Sequence, residues 1–363
     1  MNLLPLHEFH HSLGAKFSEL NGAEIVADYG DWPAEHKALR ENAGVLDLSF
    51  RSRICLIGND RARFLHGQVT NDVKKLRAGE GCYAAIVTAK GKMESDLNIF
   101  NLPDELLLDF EPGLTGKISA RLEKFIVADD VQIVNAAPHY GLLSVQGPNA
   151  GEIVRVLNLF PEIPARQFGS LKISNATLGE IYLANNPRLG TSGFDFFVPN
   201  NSLGAVADKL IAAAKRIGGR AAGWTAFETA RIETGIPRFG ADMDETNIPL
   251  ECGIEDRAVS YNKGCYIGQE VINRIHSIGH VNKELRGLRL ANDLKTLPRK
   301  HDKLFFTDKE AGHITSAVKS PALNANVALG YVRRDANQFG TELILKTAAG
   351  ESAAKIAELP FVK

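Results

Sequence analysis

Hydrophobic residues in the first two thirds of the chain recur at helical spacing in several segments. Leu114, Ile118, Leu122 and Phe125 are separated by four and three residues, so a helix places them on one face, packed against a sheet. Other segments combine this spacing with capping residues such as Asp31 or with a glycine stop. On these patterns we expect further helices at 31–44, 59–65, 206–217 and 224–234.

Strand patterns lie between these helices. Two apolar runs, 97–100 and 106–110, flank Pro103-Asp104, which favours a tight turn, so the runs predict a β-hairpin. Shorter runs predict single strands at 53–57, 142–145 and 193–198. Helices and strands are therefore interleaved, which predicts an α+β protein with two similar α+β subdomains in about the first 275 residues.

The pattern changes near residue 280. Beyond that point the helical period disappears, and short apolar runs separated by turn residues occur at 286–290, 303–306, 328–332 and 342–345. Such evenly spaced short strands are typical of a small β-barrel or sandwich. We therefore predict an α+β region over residues 1–280 and a separate β domain over 281–363.

Composition narrows the possible partners. A net charge of −1 gives no basic footprint for nucleic acid, so we expect no nucleic-acid partner. The first residues lack a basic segment ahead of an apolar run, and no apolar stretch reaches the 18 to 20 or so residues of a membrane span. We expect neither a secretory signal nor a membrane anchor, and hence a cytoplasmic protein.

Four cysteines, at positions 55, 82, 252 and 265, are too few and too widely spread for a disulfide framework. None of them forms the closely spaced pair that structural zinc requires, and no histidine pair near Cys252 and Cys265 completes a ligand set. The expectation is reduced thiols and no metal site.

One short segment concentrates residues with possible chemistry: Lys263, Gly264, Cys265, Tyr266, Ile267, Gly268, Gln269 and Glu270. Its glycines indicate backbone conformations or close approaches that a Cβ would prevent. A thiol beside a lysine can be stabilised as the thiolate, which is the better nucleophile and metal ligand. The alternative is that Cys265 is a small buried hydrophobe in a glycine-rich turn. The residues alone leave both open.

Two other charged positions have similar alternatives. Asp96 follows a glycine-containing turn, where it could act as a general base or accept from an amine, or be a solvated turn acid. Glu228 and Arg231 are three apart on a predicted helix, so they could pair on its surface, or Arg231 could turn inward to hold a ligand carboxylate or a neighbouring loop. A mild excess of Lys and Arg between 257 and 289 would suit an anionic ligand or simply a solvated face.

Short motifs follow one another over almost the whole chain: Tyr29-Gly30-Asp31, Gly44 to Ser49, Gly58-Asn59-Asp60, Thr70-Asn71-Asp72, Lys90-Gly91, Gly193-Phe194-Asp195, Arg231 to Gly235, Pro249-Leu250-Glu251 and Leu359 to Val362. In this order they resemble the glycine-cleavage T-protein family, whose members are aminomethyltransferases. The resemblance implies a three-domain ring around a central tetrahydrofolate cavity, with a β-barrel at the carboxyl end. It also implies a monomer.

Within that superfamily, the segment 263–270 is similar to the signature of the YgfZ family. Those proteins bind tetrahydrofolate and support assembly or repair of iron–sulfur clusters in client enzymes, whereas the T-protein has no cysteine there. The resemblance implies Cys265 and Lys263 as catalytic residues together with Asp96. It makes Gly264, Tyr266, Gly268, Gln269 and Glu270 the remaining motif residues.

Carried over position by position, the resemblance predicts five folate contacts: Asp96, Asp195, Tyr83, Arg231 and Glu251. Asp96 falls where the T-protein has a pair of aspartates near the reactive folate nitrogens, and Ser95 replaces the first of them. Asp195 stands for a pterin-binding glutamate. An arginine of the T-protein shortly before the Arg231 segment is Phe227 here.

Three functions remain after these considerations. The main prediction is a tetrahydrofolate-binding protein that supports iron–sulfur clusters through Cys265, with client or assembly proteins as partners. The alternative is a tetrahydrofolate-dependent aminomethyl or methyl transferase with Asp96 as base. A third possibility is a protein that only stores or senses folate and signals to a partner.

Overall fold

The computed structural model describes residues 1–362 and divides into two compact units. The first unit consists of Met1–Ile86, Ser95–Phe227 and Asn262–Tyr266. The second consists of Val87–Glu94, Glu228–Tyr261 and the chain from Ile267 onward. Because the first unit holds two α+β modules and the second contains a closed barrel, the predicted α+β class with a carboxyl-terminal β-barrel is confirmed.

Helices and strands alternate along the chain as the sequence pattern predicts. The helices are α1 (His7–Ser12), α2 (Trp32–Glu41), α3 (Arg61–His66), α4 (Thr115–Glu123), α5 (Ala150–Leu157), α6 (Leu203–Arg216), α7 (Trp224–Glu233), α8 (Glu255–Ala258) and α9 (Gln269–Ile278). The strands are β1 (Lys16–Leu20), β2 (Ala23–Asp28), β3 (Gly44–Asp47), β4 (Ser52–Ile57), β5 (Glu80–Val87), β6 (Met93–Asn101), β7 (Leu106–Phe110), β8 (Gln132–Asn135), β9 (Tyr140–Gln146), β10 (Ser170–Asn175), β11 (Gly179–Asn185), β12 (Gly193–Pro199), β13 (Arg220–Ala221), β14 (Lys283–Leu290), β15 (Lys303–Phe306), β16 (Lys309–Ser320), β17 (Ala325–Arg333), β18 (Glu342–Thr347) and β19 (Gly350–Ala357).

The first module of the first unit is a six-stranded sheet with the order β10-β11-β12-β9-β3-β13. Helices α5 and α6 pack against it. In α6, Val206 and Leu210 are four residues apart and fully buried, and they share a core with Val145 and Phe196 of the sheet. Burying each such side chain stabilises the module by about 1.5–3 kcal/mol. The predicted helix at 206–217 is thereby confirmed, with its start three residues earlier at Leu203.

The second module is a five-stranded sheet with the order β5-β6-β7-β4-β8, packed against α3 and α4. The predicted hairpin is confirmed, because β6 and β7 pair antiparallel with Phe100 opposite Leu107. Ile118 and Leu122 of α4 are fully buried, as their spacing predicts. The prediction was wrong for Phe125, which lies beyond the end of α4 and is 38% exposed.

The second unit ends in a closed barrel with the strand order β14-β17-β16-β15-β18-β19. Its interior is filled by aliphatic side chains such as Leu288, Ile314, Val332 and Leu345. The four predicted apolar runs all lie in barrel strands, whereas β16 and β19 were not predicted. Both of these strands have few large apolar residues, so pairing with neighbouring strands, rather than a hydrophobic pattern, defines them.

No helix within residues 1–362 is long and apolar enough to cross a membrane.

Candidate functional site

Lys263 anchors the cysteine motif within the first unit. Its side chain is buried, and Nζ donates to the carbonyl oxygens of His66 and Val69, each at 2.6 Å, and of Asn71 at 2.9 Å. Burial lowers the pKa of Lys263 to about 8. Three carbonyl acceptors match the three N–H donors of an ammonium group, so the side chain ties the motif to the segment that follows α3. An effect of Lys263 on the cysteine stays a prediction.

Cys265 is exposed, so it is not the buried hydrophobe that was one of its two interpretations. The other cysteines are buried or half-buried. Burial raises the pKa of Cys82 to about 12 and raises that of Cys55 further, which disfavours the thiolate at both. Tyr266, the next residue, turns back inward: its ring lies 4.8 Å from Lys263 Nζ, and the motif therefore presents one accessible thiol between two buried side chains.

The rest of the motif belongs to the second unit. Gly268 precedes α9 with φ of +86°, and a Cβ there would lie 2.5 Å from the Thr88 carbonyl oxygen, so glycine is required. Gln269 and Glu270 form the first turn of α9, with Glu270 exposed. These two polar residues thus begin a helix rather than continue a loop.

Asp96 and Tyr83 form a hydrogen-bonded pair in the first unit. They lie on β6 and β5, and Tyr83 Oη donates to Asp96 Oδ2 at 2.8 Å. Tyr83 is buried and Asp96 is half-buried, so Asp96 is not the solvated turn acid of its alternative interpretation. Ser95, in place of the first aspartate of the T-protein pair, is fully buried. The arrangement is a carboxylate held in one orientation by a phenol.

Asn71 connects this pair with the motif. Its side-chain amide donates to the Tyr83 carbonyl oxygen at 2.8 Å, and its own carbonyl oxygen accepts from Lys263 Nζ at 2.9 Å. The structure therefore brings Tyr83, Asp96 and Lys263 into one hydrogen-bonded neighbourhood of the first unit.

Asp195 lies in a separate network. Its side chain is fully buried, and its two oxygens accept from Ser144 Oγ at 2.7 Å, from Asn186 Nδ2 at 2.8 Å and from Arg188 Nε and Nη2 at 3.1 and 2.7 Å. These donors fill the acceptor positions of a carboxylate. Binding a pterin at Asp195 would require some of them to be displaced, and its role in folate binding stays a prediction.

Arg188 extends this network from the six-stranded to the five-stranded sheet, because its Nη2 also donates to Asp109 on β7 at 2.7 Å. Asp109 in turn accepts from Arg51, which also pairs with Glu111. Burial alone would raise the pKa of Asp109, but Arg188 and Arg51 hold it well below its usual range. Sequence reasoning missed this network; the one available signal was an arginine, in Pro187-Arg188, shortly before the Gly193-Phe194-Asp195 motif.

Arg231 belongs to the second unit, where it is 2% exposed. Its guanidinium donates to Glu228 at 2.9 and 2.8 Å, to Asp242 at 2.5 Å, and to Ser316 on β16 at 3.1 Å. Burial alone would raise the pKa of Glu228, but Arg231 and Arg238 lower it to about 2. Of the two alternatives, the inward-turned arginine that holds a neighbouring segment is observed, with Glu228 as one of its partners. A folate contact by Arg231 stays a prediction.

Glu251, also in the second unit, is buried, and its Oε2 accepts from the Ile248 backbone N–H at 3.1 Å. It lines an open groove of about 840 Å³. The other charged residues of that groove are mostly basic: Lys92, Lys283, Arg333, Arg334 and Asp335. The groove could accept an anion, and folate binding there stays a prediction.

Within residues 1–362, no group of three or more His, Cys, Asp or Glu side chains is arranged to hold a metal ion.

Two family models together match nearly the whole chain. The GCVT N-terminal domain model matches residues 6–263, and the glycine cleavage T-protein C-terminal barrel domain model matches residues 283–363. The chain therefore belongs to the glycine cleavage T-protein family. The resemblance inferred from the motif order is confirmed at this level.

Relatives and a solved structure agree with this assignment. Proteins named aminomethyltransferase from Listeria monocytogenes and Halalkalibacterium halodurans are 27% and 28% identical to this chain over 99% of it and 97% of their own length. One from Halothermothrix orenii is 27% identical over the full length of both. The crystal structure of glycine cleavage system aminomethyltransferase T from Bartonella henselae has a TM-score of 0.89 at 24% identity, covering 99% of this chain and 98% of that one, and so shares the fold.

Proposed function

We propose that this protein binds tetrahydrofolate and transfers a one-carbon group to or from it, with Asp96 as the group that holds or takes the proton. The observation that carries the proposal is the half-buried Asp96 carboxylate, oriented by Tyr83 at 2.8 Å. A general base must be held in place to act on a proton in the transition state. Membership of the T-protein family and relatives named aminomethyltransferase support the same reaction class.

Tetrahydrofolate would supply reduced ring nitrogens that accept or release the one-carbon unit. On this chain, Asp96 fits such a group because a half-buried carboxylate can accept from a ring or amine N–H. Asp195 fits less well, since four donor atoms already engage its oxygens. The proposal therefore assigns recognition near the reacting nitrogen to Asp96 and Tyr83 and does not depend on Asp195.

The test combines calorimetry with tetrahydrofolate and an assay for methylene- or methyl-tetrahydrofolate formed from aminomethyl or N-methyl donors. Asp96→Asn should reduce turnover by about 100-fold or more, the range typical of a lost general base, with a smaller change in folate affinity. Tyr83→Phe should reduce turnover less. The control is Asp104→Asn, at an exposed turn acid of the same unit. Binding without turnover from any of these donors would refute the transferase proposal.

A second candidate is favoured by one specific observation, the exposed thiol of Cys265 in a loop anchored by Lys263. We infer from it a folate-binding protein that supports iron–sulfur clusters in client enzymes, as in the YgfZ family that the motif resembles. An exposed thiol can bind cluster iron or attack an electrophile once it is deprotonated. This function needs Cys265 and does not need turnover of a one-carbon donor.

A strain that lacks this protein and shows reduced activity of an iron–sulfur enzyme separates the two candidates. Cys265→Ser should fail to restore that activity although it binds tetrahydrofolate normally, whereas Cys82→Ser, at a half-buried thiol, should restore it. Restoration by Cys265→Ser would reject the cluster-support function. If Asp96→Asn fails to restore that activity and Cys265→Ser restores it, the result would favour the transferase.

A further inference from the structure

One buried arginine of the first unit pairs with no carboxylate among residues 1–362, although it is enclosed by protein. Arg53, on β4, is 1% exposed. Its Nη1 donates to the carbonyl oxygen of Arg51 at 3.0 Å, and its Nη2 donates to those of Ser49 and Tyr140 at 3.1 and 2.7 Å. Its Nε is buried and has no hydrogen-bond partner in the part of the chain that the structure describes. Because burying a charge without a counter-charge is costly, this guanidinium is suited to bind an anion that supplies one more acceptor.

The charges around Arg53 do not neutralise it. Burial lowers the pKa of Arg53 to about 10. Asp109 and Asp47 act in the opposite direction, but neither forms an ion pair with it. Asp109 already pairs with Arg51 and Arg188, which themselves lower the pKa of Arg53 further. Asp47 pairs with a buried histidine. The carboxylates that act on Arg53 are therefore already engaged by other partners.

Arg53 lies in the wall of a small pocket of about 30 Å³ between the five-stranded and six-stranded sheets of the first unit. Much of this wall is apolar, with Leu102, Leu107 and Phe197. Arg53 is the only cation and Glu105 the only carboxylate among the described residues that line it. About 10–15 Å³ accommodates one water molecule, so the pocket has room for about two waters or for one ion of chloride size.

The geometry directs the unpartnered N–H of Arg53 toward this pocket. Nε and Nη2 share one edge of the planar guanidinium, and Nη2 donates to the carbonyl oxygen of Tyr140, a lining residue. The pocket reaches the surface beside Tyr140 and Tyr182, which are half-buried and whose ring centroids are 6.2 Å apart. Glu105 is hydrogen-bonded to Cys55 and is partly exposed, so solvent screens its charge. A small anion would therefore gain a charge-assisted hydrogen bond from Arg53 and meet only weak repulsion from Glu105.

We propose that this pocket binds a small monovalent anion of chloride size, which accepts from Arg53 Nε and neutralises its charge. A water molecule would supply an acceptor but no charge, and sulfate or phosphate is too large for a pocket of about 30 Å³. Because an ion that binds only the folded chain stabilises it, the stability of the first unit should rise with chloride concentration. The site contains none of the residues on which the one-carbon and cluster-support proposals depend.

Bromide, which matches chloride in charge and nearly in size, locates the site directly. Crystals of the full-length protein soaked in sodium bromide should show an anomalous difference peak within hydrogen-bonding distance of Arg53 Nε. In solution, thermal unfolding is compared in sodium chloride and in sodium gluconate, whose anion is too large for the pocket, at equal ionic strength so that screening is the same. Chloride should raise the Tm of the first unit by about 2–4 °C.

Two variants and one control test the assignment to Arg53. Arg53→Met removes the donor, so the chloride-dependent rise in Tm and the bromide peak should both disappear. Glu105→Gln keeps the donor and removes the carboxylate of the pocket, so the chloride concentration that gives half of the effect should fall by about two- to five-fold. Glu123→Gln, at an exposed glutamate of the same unit, should behave as the wild type.

If Arg53→Met unfolds the unit, the bromide peak and Glu105→Gln carry the test. The absence of a bromide peak at Arg53, or equal chloride responses of the wild type, Arg53→Met and Glu105→Gln, would overturn the proposal.

Discussion

Arg188→Met tests whether the buried network around Asp195 holds the first unit together. The substitution keeps an unbranched, though shorter, apolar stem and removes the only cation that contacts both Asp195 and Asp109 among residues 1–362. Both carboxylates have fully buried side chains, so neither can be solvated in place of the lost partner. The expected result is a large loss of stability in the first unit.

The size of the loss follows from the geometry. Removing one partner of a buried ion pair costs about 3–5 kcal/mol, since the other charge is left uncompensated. In a cooperative unit of 150–250 residues, a range that includes the first unit, each kcal/mol lowers Tm by about 2–4 °C. Arg188→Met should therefore lower the Tm of that unit by about 6–20 °C. Arg188→Lys, which keeps the charge but not the planar fork, should lose less.

The stability lost in Arg188→Met should also depend on pH. In the wild type the folded pKa of Asp109 is held well below its unfolded value, so its stabilising effect is complete above about pH 4 and is lost as the pH falls through the folded pKa. Without Arg188 that pKa rises, so the variant loses less stability in acid. The Tm difference between wild type and variant should therefore narrow as the pH falls below about 4.

Thermal unfolding followed by circular dichroism at pH 7, 4 and 3 measures both effects. The matched control is Arg166→Met, which removes an arginine that is 70% exposed and pairs with Glu80, and should cost no more than about 1 kcal/mol. Equal Tm for Arg188→Met and Arg166→Met would refute the reasoning. The result also bears on function, because a loss of folate affinity in Asp195→Ala reports a contact only if the network remains folded.

Two further predictions concern the motif. Gly268→Ala should destabilise the second unit by about 1–3 kcal/mol in a thermal melt, because φ is +86° and the Cβ would lie 2.5 Å from the Thr88 carbonyl oxygen. The control Gly253→Ala should cost less stability, because φ is +68° there but no atom lies within 4 Å of the added Cβ. Lys263→Met should lower the free energy of unfolding in urea by about 1–3 kcal/mol, because three carbonyl oxygens lose their donor. Lys124→Met, at an exposed lysine, should change it little. Equal urea midpoints for the two variants would contradict the anchoring role of Lys263.

Periodicity predicted the elements whose apolar faces are regular. The hairpin of β6 and β7, helix α6 and four barrel strands follow from residue spacing, because burial of one face fixes the period. The spacing gave a wrong result for Phe125, because the helical spacing continues in the sequence although α4 ends at Glu123. Strand β16 was not predicted, because its pairing with β15 and β17 comes from barrel closure.

The site was predictable where residues are close in sequence, and not where folding brings them together. Cys265 and Lys263 belong to one short motif, and Asp96 was a candidate from its position after a glycine-containing turn, with its folate role supplied by the resemblance. Burial of Lys263 against the carbonyl oxygens of residues nearly 200 positions earlier has no signal in the local sequence. The same holds for Arg53, whose unpartnered Nε follows only from the folded structure.

The hydrogen bonds of Asn71 make the two candidate chemistries testable as one system. Its amide holds the Tyr83 backbone and its carbonyl oxygen holds Lys263. Asn71→Ala removes the amide that holds the Tyr83 backbone, and Lys263→Met removes the donor to the Asn71 carbonyl oxygen, so the two substitutions should affect tetrahydrofolate affinity non-additively, with a coupling above about 0.5 kcal/mol in a double-mutant cycle. Asn71→Ala combined with the distant, exposed Arg166→Met should be additive. Additivity in both cycles would mean that the Asp96 carboxylate and the thiol motif act separately. The cluster-support function of Cys265 would then not depend on folate chemistry at Asp96.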